Sequence, residues 1–134
     1  MEARLLIESD YEDTLMKWWR KWRWTAPAKD SLPQDGTGGL MISKDGVDIC
    51  AGFIYLTNSK TAWSEYIVSN FEVKDRELRD EAIELLINTL SLIAKDHGHK
   101  YIYTSLRNES LVNKYAKCGY IKASARCTEM IKVL

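Results

Sequence analysis

The spacing of apolar positions changes along this chain, and each change marks an element. Arg4–Glu8, RLLIE, is a short apolar run that predicts a strand, and Ser9 with Glu12 three residues later reads as a capping box opening a helix. From Tyr11 onward Leu15, Trp18, Trp19 and Trp22 recur at helical spacing, while Lys17, Arg20 and Lys21 fall toward the other side. The segment Lys17–Trp24, KWWRKWRW, holds four of the five tryptophans beside four cations. Its stripe is the expected core face of an amphipathic helix, and this reading outweighs a nucleic-acid platform. Trp24 projects away from the stripe, and Pro27 marks an ending nearby.

Residues 26–39, APAKDSLPQDGTGG, carry both prolines and three of the seven glycines, the composition of a long loop suited to ligand contacts. Trp24, Gly36 and Gly38 are therefore the substrate-side candidates. Gly36, Gly38 and Gly39 lead into a strand, whereas phosphate loops feed a helix N-terminus, so a phosphate cradle is not expected there. GLMIS, the turn Lys44-Asp45-Gly46 and DICAGFIYLT predict a hairpin, and AWSEYIVSNFEV a third strand. A helix follows from Arg76 to Asp96, with Leu78, Ala82, Leu85, Leu86, Leu90 and Ile93 inward and Gly98 ending it. YIYTS is a strand again. Asn108 caps a shorter helix carrying Leu111, Val112, Tyr115 and Ala116, which Gly119 closes. IKASAR and EMIKVL read as two last strands, giving the order β-α-loop-β-β-β-α-β-α-β-β.

A chain of 134 residues fits one domain, 1–134, with a core of its own. Nineteen acidic and nineteen basic side chains cancel, which removes the overall positive field that nonspecific nucleic-acid binding draws on, so nucleic acid is not an expected partner. Cys50, Cys118 and Cys127 are odd in number and widely spaced, which indicates neither a disulfide framework nor a zinc site and points to a cytoplasmic setting. No apolar run is long enough for a membrane span. His97 and His99 sit at a helix-ending turn without a third ligand in sequence, so no metal is assigned.

The element order, together with YTSLRNESLVNKYAKCGY, resembles the GNAT family of N-acyltransferases. The likeness is most specific at Asn108 and at Tyr115 followed by Ala116-Lys117-Cys118-Gly119-Tyr120. Within the family the chain looks most like small phage-encoded proteins with a degenerate pyrophosphate loop. The resemblance implies an α/β (α+β) fold with a mixed, mostly antiparallel central sheet flanked by helices. It also implies acetyl-CoA as cosubstrate, a small-molecule or peptide amine as acceptor, and Tyr115 as the acid that protonates the departing thiolate. Glu65, and behind it Glu72, resemble the strand glutamate that some members use as a base. A strand bulge, which frees a backbone N–H in the family, is expected at Ser69-Asn70; without it Glu65 and Ile67 share a face with Phe71 and Val73.

The chain departs from the family where glycines meet the pyrophosphate, since none occurs from Asn70 to His97. Aligning the motif's arginine with Arg76 places Arg79 and Glu81 at the glycine positions; aligning it with Arg79 places Ala82 and Glu84 there. Asp75, Glu77, Asp80 and Glu81 add repulsion, while Arg76 and Arg79 are able to pair with phosphate directly. The cofactor-side candidates are thus Phe71, Val73, Arg76, Arg79, Asp80, Glu81, Ala82 and Asn108. A cofactor-free GNAT-like binding or inhibitor protein, acting through a protein partner, is the alternative reading.

Overall fold

The computed structural model describes all of residues 1–134. Five strands form one sheet in chain order: β1 (Glu2–Leu5), β2 (Gly39–Lys44), β3 (Val47–Tyr55), β4 (Thr61–Ser69) and β5 (Tyr101–Tyr103). Neighbours are antiparallel except β4 and β5, which run parallel across the crossover made by α2 (Arg76–Asp96). The mixed, mostly antiparallel sheet flanked by helices is the architecture expected from the sequence. The β2–β3 hairpin closes on Asp45 and Gly46, both at positive φ (52° and 80°), which is the two-residue turn that Asp-Gly favours.

Two apolar layers hold the sheet. On one face α2 sets Ala82, Leu86 and Leu90 against Leu40, Ile42, Cys50, Ile54 and Ala62, all buried. Ile83, Ile87 and Ala94 join them, whereas Leu78, Leu85 and Ile93 are only partly covered. At about 1.5–3 kcal/mol per buried large aliphatic side chain, this seam outweighs any surface ion pair on the helix. On the other face a helix opening as a π turn (Tyr11–Leu15) and continuing as α1 (Met16–Lys21) packs Tyr11, Leu15, Trp18 and Trp19 on Met41, Ala51, Phe53 and Val68. Trp22 is half-buried at its edge.

Several boundaries differ from the sequence reading. The first strand spans Glu2–Leu5 rather than Arg4–Glu8, and no Ser9–Glu12 capping box forms. Asp10 holds that corner instead: its buried carboxylate accepts from Ile7 N–H at 2.8 Å and from both Arg4 guanidinium nitrogens at 2.8 and 3.0 Å. A charge-assisted fork of this kind outcompetes a hydroxyl cap. β4 stops at Ser69, so Phe71 and Val73 belong to the loop before α2.

α3 (Glu109–Lys117) begins on Asn108, as read, and ends at Gly119 (φ +96°). There the N–H of Tyr120 reaches Tyr115 O and that of Gly119 reaches Ala116 O, the two bonds that close a Schellman motif. IKASAR and EMIKVL form no strands. β5 offers an edge of only three residues, and Ile121, Met130, Ile131 and Val133 remain more than nine-tenths exposed. His97 and His99 serve the turn after α2, where Nδ1 of each lies at a carbonyl of the last helical turn, Ile93 at 2.9 Å and Ala94 at 3.3 Å.

Candidate active site

β4 and β5 stay paired for only three positions, Thr61 with Tyr101, Ala62 with Ile102 and Trp63 with Tyr103, and then part. Beyond Trp63 the backbone of β4 is free on that side, leaving a gap between parallel strands at their C-terminal ends, the usual ligand position in open α/β sheets.

The gap is shaped by a bulge. On β3 Ala51 faces Val68 and Phe53 faces Glu65, so two steps on β3 match three on β4, with Gly52 opposite the extra residue. Tyr66 adopts φ +60°, a left-handed conformation that costs a non-glycine residue about 1–2 kcal/mol. The bulge therefore lies at Tyr66-Ile67 and not at Ser69-Asn70. Asn70 is occupied otherwise: its N–H reaches Ile49 O at 2.7 Å and its side chain bridges Asp48 O and Glu72 N–H. The bulge reverses the alternation of β4. Ala62 and Ile67 pack toward α2, whereas Val68 packs toward α1. Glu65 and Ile67 consequently occupy opposite faces, contrary to the unbulged reading.

Glu65 is half-buried and accepts a 2.8 Å hydrogen bond from Trp63 Nε1. Burial pushes its carboxyl above the usual range, and Glu129 of the C-terminal segment adds to the rise; the Trp63 indole and the N–H groups of Ser105 and Tyr66 oppose it. Ser105 follows β5, so this carboxylate reaches across the gap. Tyr115 approaches from the opposite face. It is 2% exposed, packs edge-on against Tyr120 with centroids 4.8 Å apart, and has its hydroxyl beside those of Ser64 and Thr104. Burial raises the Tyr115 pKa well above that of a free phenol, so the group stays protonated and serves as a donor. Thr104 Oγ1 is buried with no hydrogen-bond partner of its own. Sequence reasoning missed Ser64, on β4, and Thr104, just after β5, where a lone hydroxyl carries little signal.

At the start of α2 the charges divide between two flanks. Asp75 is the N-cap and accepts from Leu78 N–H at 3.2 Å, which leaves the N–H groups of Arg76 and Glu77 as open donors. Asp75, Glu77 and Glu81 turn toward the β2–β3 hairpin, where with Lys44 and Asp45 they line a cavity of about 500 Å³. Arg76 and Arg79 instead continue the helical stripe of Ile83, Leu86 and Leu90 past the end of the sheet. Neither arginine is in an ion pair, whereas Asp80 is matched by Lys114 of α3 at 3.3 Å.

The other sequence candidates fall outside this arrangement. Ala82 is wholly buried in the α2 seam, where it packs against the sheet. Asn108 Oδ1 is taken up by the Ser110 and Leu111 N–H groups. Glu72 is exposed on the loop beyond β4 and does not reach the gap. Gly36 and Gly38 are used by packing: a Cβ on Gly38 would stand 2.5 Å from Pro33 Cβ, and Gly36 is buried at φ +90°. Phe71 and Trp24 are exposed, and Trp22 stands between them: its ring stacks on Trp24 at 5.8 Å and meets Phe71 edge-on at 5.0 Å.

The arrangement of these strands and helices recurs in solved structures. The chain has the GNAT fold. It superposes on glucosamine-6-phosphate N-acetyltransferase from Arabidopsis thaliana with a TM-score of 0.62 at 15% identity, covering 98% of each chain. Ribosomal-protein-S18-alanine N-acetyltransferase from Escherichia coli gives 0.66 at 15%, over 92% of this chain and 79% of that one. Aminoglycoside N-acetyltransferase AAC(6')-Iy, in complex with CoA, gives 0.58 at 12%, over 98% and 100%. At these identities the likeness is one of fold. No family model matches the GNAT-fold chain, and no curated protein sequence does. No helix of it is long and apolar enough to cross a membrane.

Proposed function

We propose that this chain is an N-acetyltransferase that moves an acetyl group from acetyl-CoA to a primary amine. The observation carrying the proposal is the convergence at the β4–β5 gap of a buried, protonated tyrosine and a carboxylate with a raised pKa, on opposite faces of a bulged strand. Environments that hold one group as a donor and tune the other toward neutrality suit acid and base work.

The donor set at the corner fits a diphosphate, held by side chains rather than by glycine amides. Arg76 and Arg79, unpaired and one turn apart, with the open N–H groups of Arg76 and Glu77, would hold it. When bound, the cosubstrate supplies an activated acyl group. Glu65 takes the proton of the attacking amine, and its elevated pKa improves that match near neutral pH. Tyr115 gives its hydroxyl proton to the departing sulfur, with the Ser64 hydroxyl beside the phenol. The Tyr66 and Ser105 N–H groups hydrogen-bond the Glu65 carboxylate and hold it at the gap.

Thiol release in the presence of acetyl-CoA and a panel of amines tests this reading. Turnover is expected with the native chain and a fall of about 10²-fold or more in Tyr115→Phe. Unchanged turnover in that variant removes Tyr115 from the chemistry. One observation favours a second reading, a GNAT-fold binding protein without cofactor: the Asp75 carboxylate occupies an amide at the helix start that a phosphate would otherwise take. Thermal denaturation separates the two. Acetyl-CoA at about 100 times its dissociation constant adds about 2.7 kcal/mol to a protein that binds it, and absence of a shift at millimolar ligand selects the binding protein.

A further inference from the structure

The end of α1 builds a surface that the acyl-transfer site does not use. Arg23 sits at φ +59°, and the bonds Trp24 N–H to Trp19 O and Arg23 N–H to Arg20 O close the helix as a Schellman motif with arginine in the place that favours glycine. This turn sends Trp24 outward. One face of its ring rests on Trp22, at 5.8 Å and 22° between planes, and the residue is 44% exposed. Trp22 is fixed in turn by its indole N–H, which donates to Ser69 O at 2.8 Å, and by the edge of Phe71. Lys74 stands 4.1 Å over the Phe71 ring. A line of rings therefore runs from the end of α1 to the loop after β4, with the free face of Trp24 open to solvent.

Cations flank the rings. Lys17, Arg20 and Lys21 occupy the exposed ridge of α1, opposite buried Leu15, Trp18 and Trp19, and Arg23 follows them. None of these four, nor Lys74, takes part in an ion pair. In a chain whose formal charge is zero, that is a local separation of charge. Sequence reasoning set nucleic acid aside on net charge and on the core placement of the tryptophans. The structure keeps Trp18 and Trp19 in the core, holds Trp24 outside it as the sequence suggested, and leaves the cations without ion-pair partners.

We infer that this aromatic and basic surface binds single-stranded nucleic acid, with an unpaired base stacked on Trp24 and neighbouring phosphates drawn to the α1 ridge. Stacking on an open ring needs a base whose face is free, which selects single strands over duplex, and the cations supply sequence-independent attraction to the backbone. The inference stands whether or not the chain transfers acyl groups.

Fluorescence anisotropy with a labelled thymidine oligonucleotide of about 12 nucleotides tests it on the full chain. Binding is expected at low salt, weakening about ten-fold or more between about 50 and 200 mM. Trp24→Ala is expected to lower affinity about ten-fold and Trp24→Phe to restore most of it, while Lys21→Ala reduces the salt slope by about 0.7. Absence of binding at low salt overturns the inference, as does equal affinity of Trp24→Ala. Equal affinity for duplex of the same length, or for polyglutamate, shows charge attraction alone and overturns it too. Displacement of the oligonucleotide by acetyl-CoA, with Trp24→Ala weakening both, assigns the rings to the nucleotide part of the cosubstrate instead and overturns it.

Discussion

Gly52 is the β3 residue opposite the bulge at Tyr66-Ile67, and a Cβ placed on it would stand 3.0 Å from Ile67 Cγ1 and 3.3 Å from Leu86 Cδ2. The strained turn of β4 and the bare backbone of β3 thus fit one another, with α2 pressing from the side. Leu86 is fully buried and has nowhere to retreat. Gly52→Ala is expected to lower stability by about 1–3 kcal/mol through overpacking, read as a lower midpoint in chemical denaturation. A midpoint equal to the native one would mean that β4 yields freely at its bulge.

Burial raises the Glu65 pKa in the fold, so the folded chain holds that proton more tightly than the unfolded one. The sign follows from linkage: this contribution favours the fold below the ordinary glutamate pKa of about 4.3 and is lost as pH rises through the elevated folded value. Glu65→Gln removes the ionising group and keeps an oxygen for Trp63 Nε1–H. The variant is expected to melt higher than the native chain at neutral pH, with the difference shrinking in acid, while acyl transfer falls. The measurement is a pair of melting curves across that pH range. A variant that melts lower at neutral pH would show that the charged carboxylate is stabilising.

The same site shows where sequence reading succeeds and where it stops. The stripes of α2 and the Asp45-Gly46 turn are legible because each rests on local periodicity or turn chemistry. Asn108 as cap and Gly119 as terminator are legible for the same reason. The bulge was misplaced because it arises from contact between β4, Gly52 and α2, a relation no single window contains. Glu72 lies past Ser69, where β4 ends, while Gly36, Gly38 and Ala82 are used by packing, which loop composition and motif register do not report. IKASAR and EMIKVL read as extended segments, but a strand also needs a partner edge, and that is a tertiary relation.

At the β1 edge of the sheet, Arg4 and Asp10 make a forked pair on a carboxylate that is 5% exposed. Burial alone would raise the Asp10 pKa, but the Arg4 hydrogen bond, the Ile7 N–H and the Arg4 charge together carry it below the usual range. A lowered folded pKa gives stability that is present above the unfolded value of about 3.9 and is lost as pH falls through the folded one. Asp10→Asn is expected to cost about 1–2 kcal/mol at neutral pH and to flatten the acid limb of the unfolding profile. Retention of the native acid limb in that variant would place the acid sensitivity in other carboxylates.

Asp75 decides how well the start of α2 receives an anion. Its carboxylate caps Leu78 N–H, and its charge stands beside the open N–H groups of Arg76 and Glu77. Asp75→Asn keeps an oxygen for the cap and removes the charge, so helix stability should change by only a few tenths of a kcal/mol while acetyl-CoA affinity rises. Asp75→Ala loses the cap as well, at about 1 kcal/mol, yet opens one more amide. Arg79→Glu reverses the charge on the sheet-ward stripe and is expected to weaken acetyl-CoA binding by about ten-fold or more, the scale of one charge-assisted contact. Calorimetric titration of the three variants orders them directly. If Arg79→Glu binds as tightly as Asp75→Asn, the diphosphate does not sit at this corner, and the side-chain cradle built from Arg76 and Arg79 is wrong.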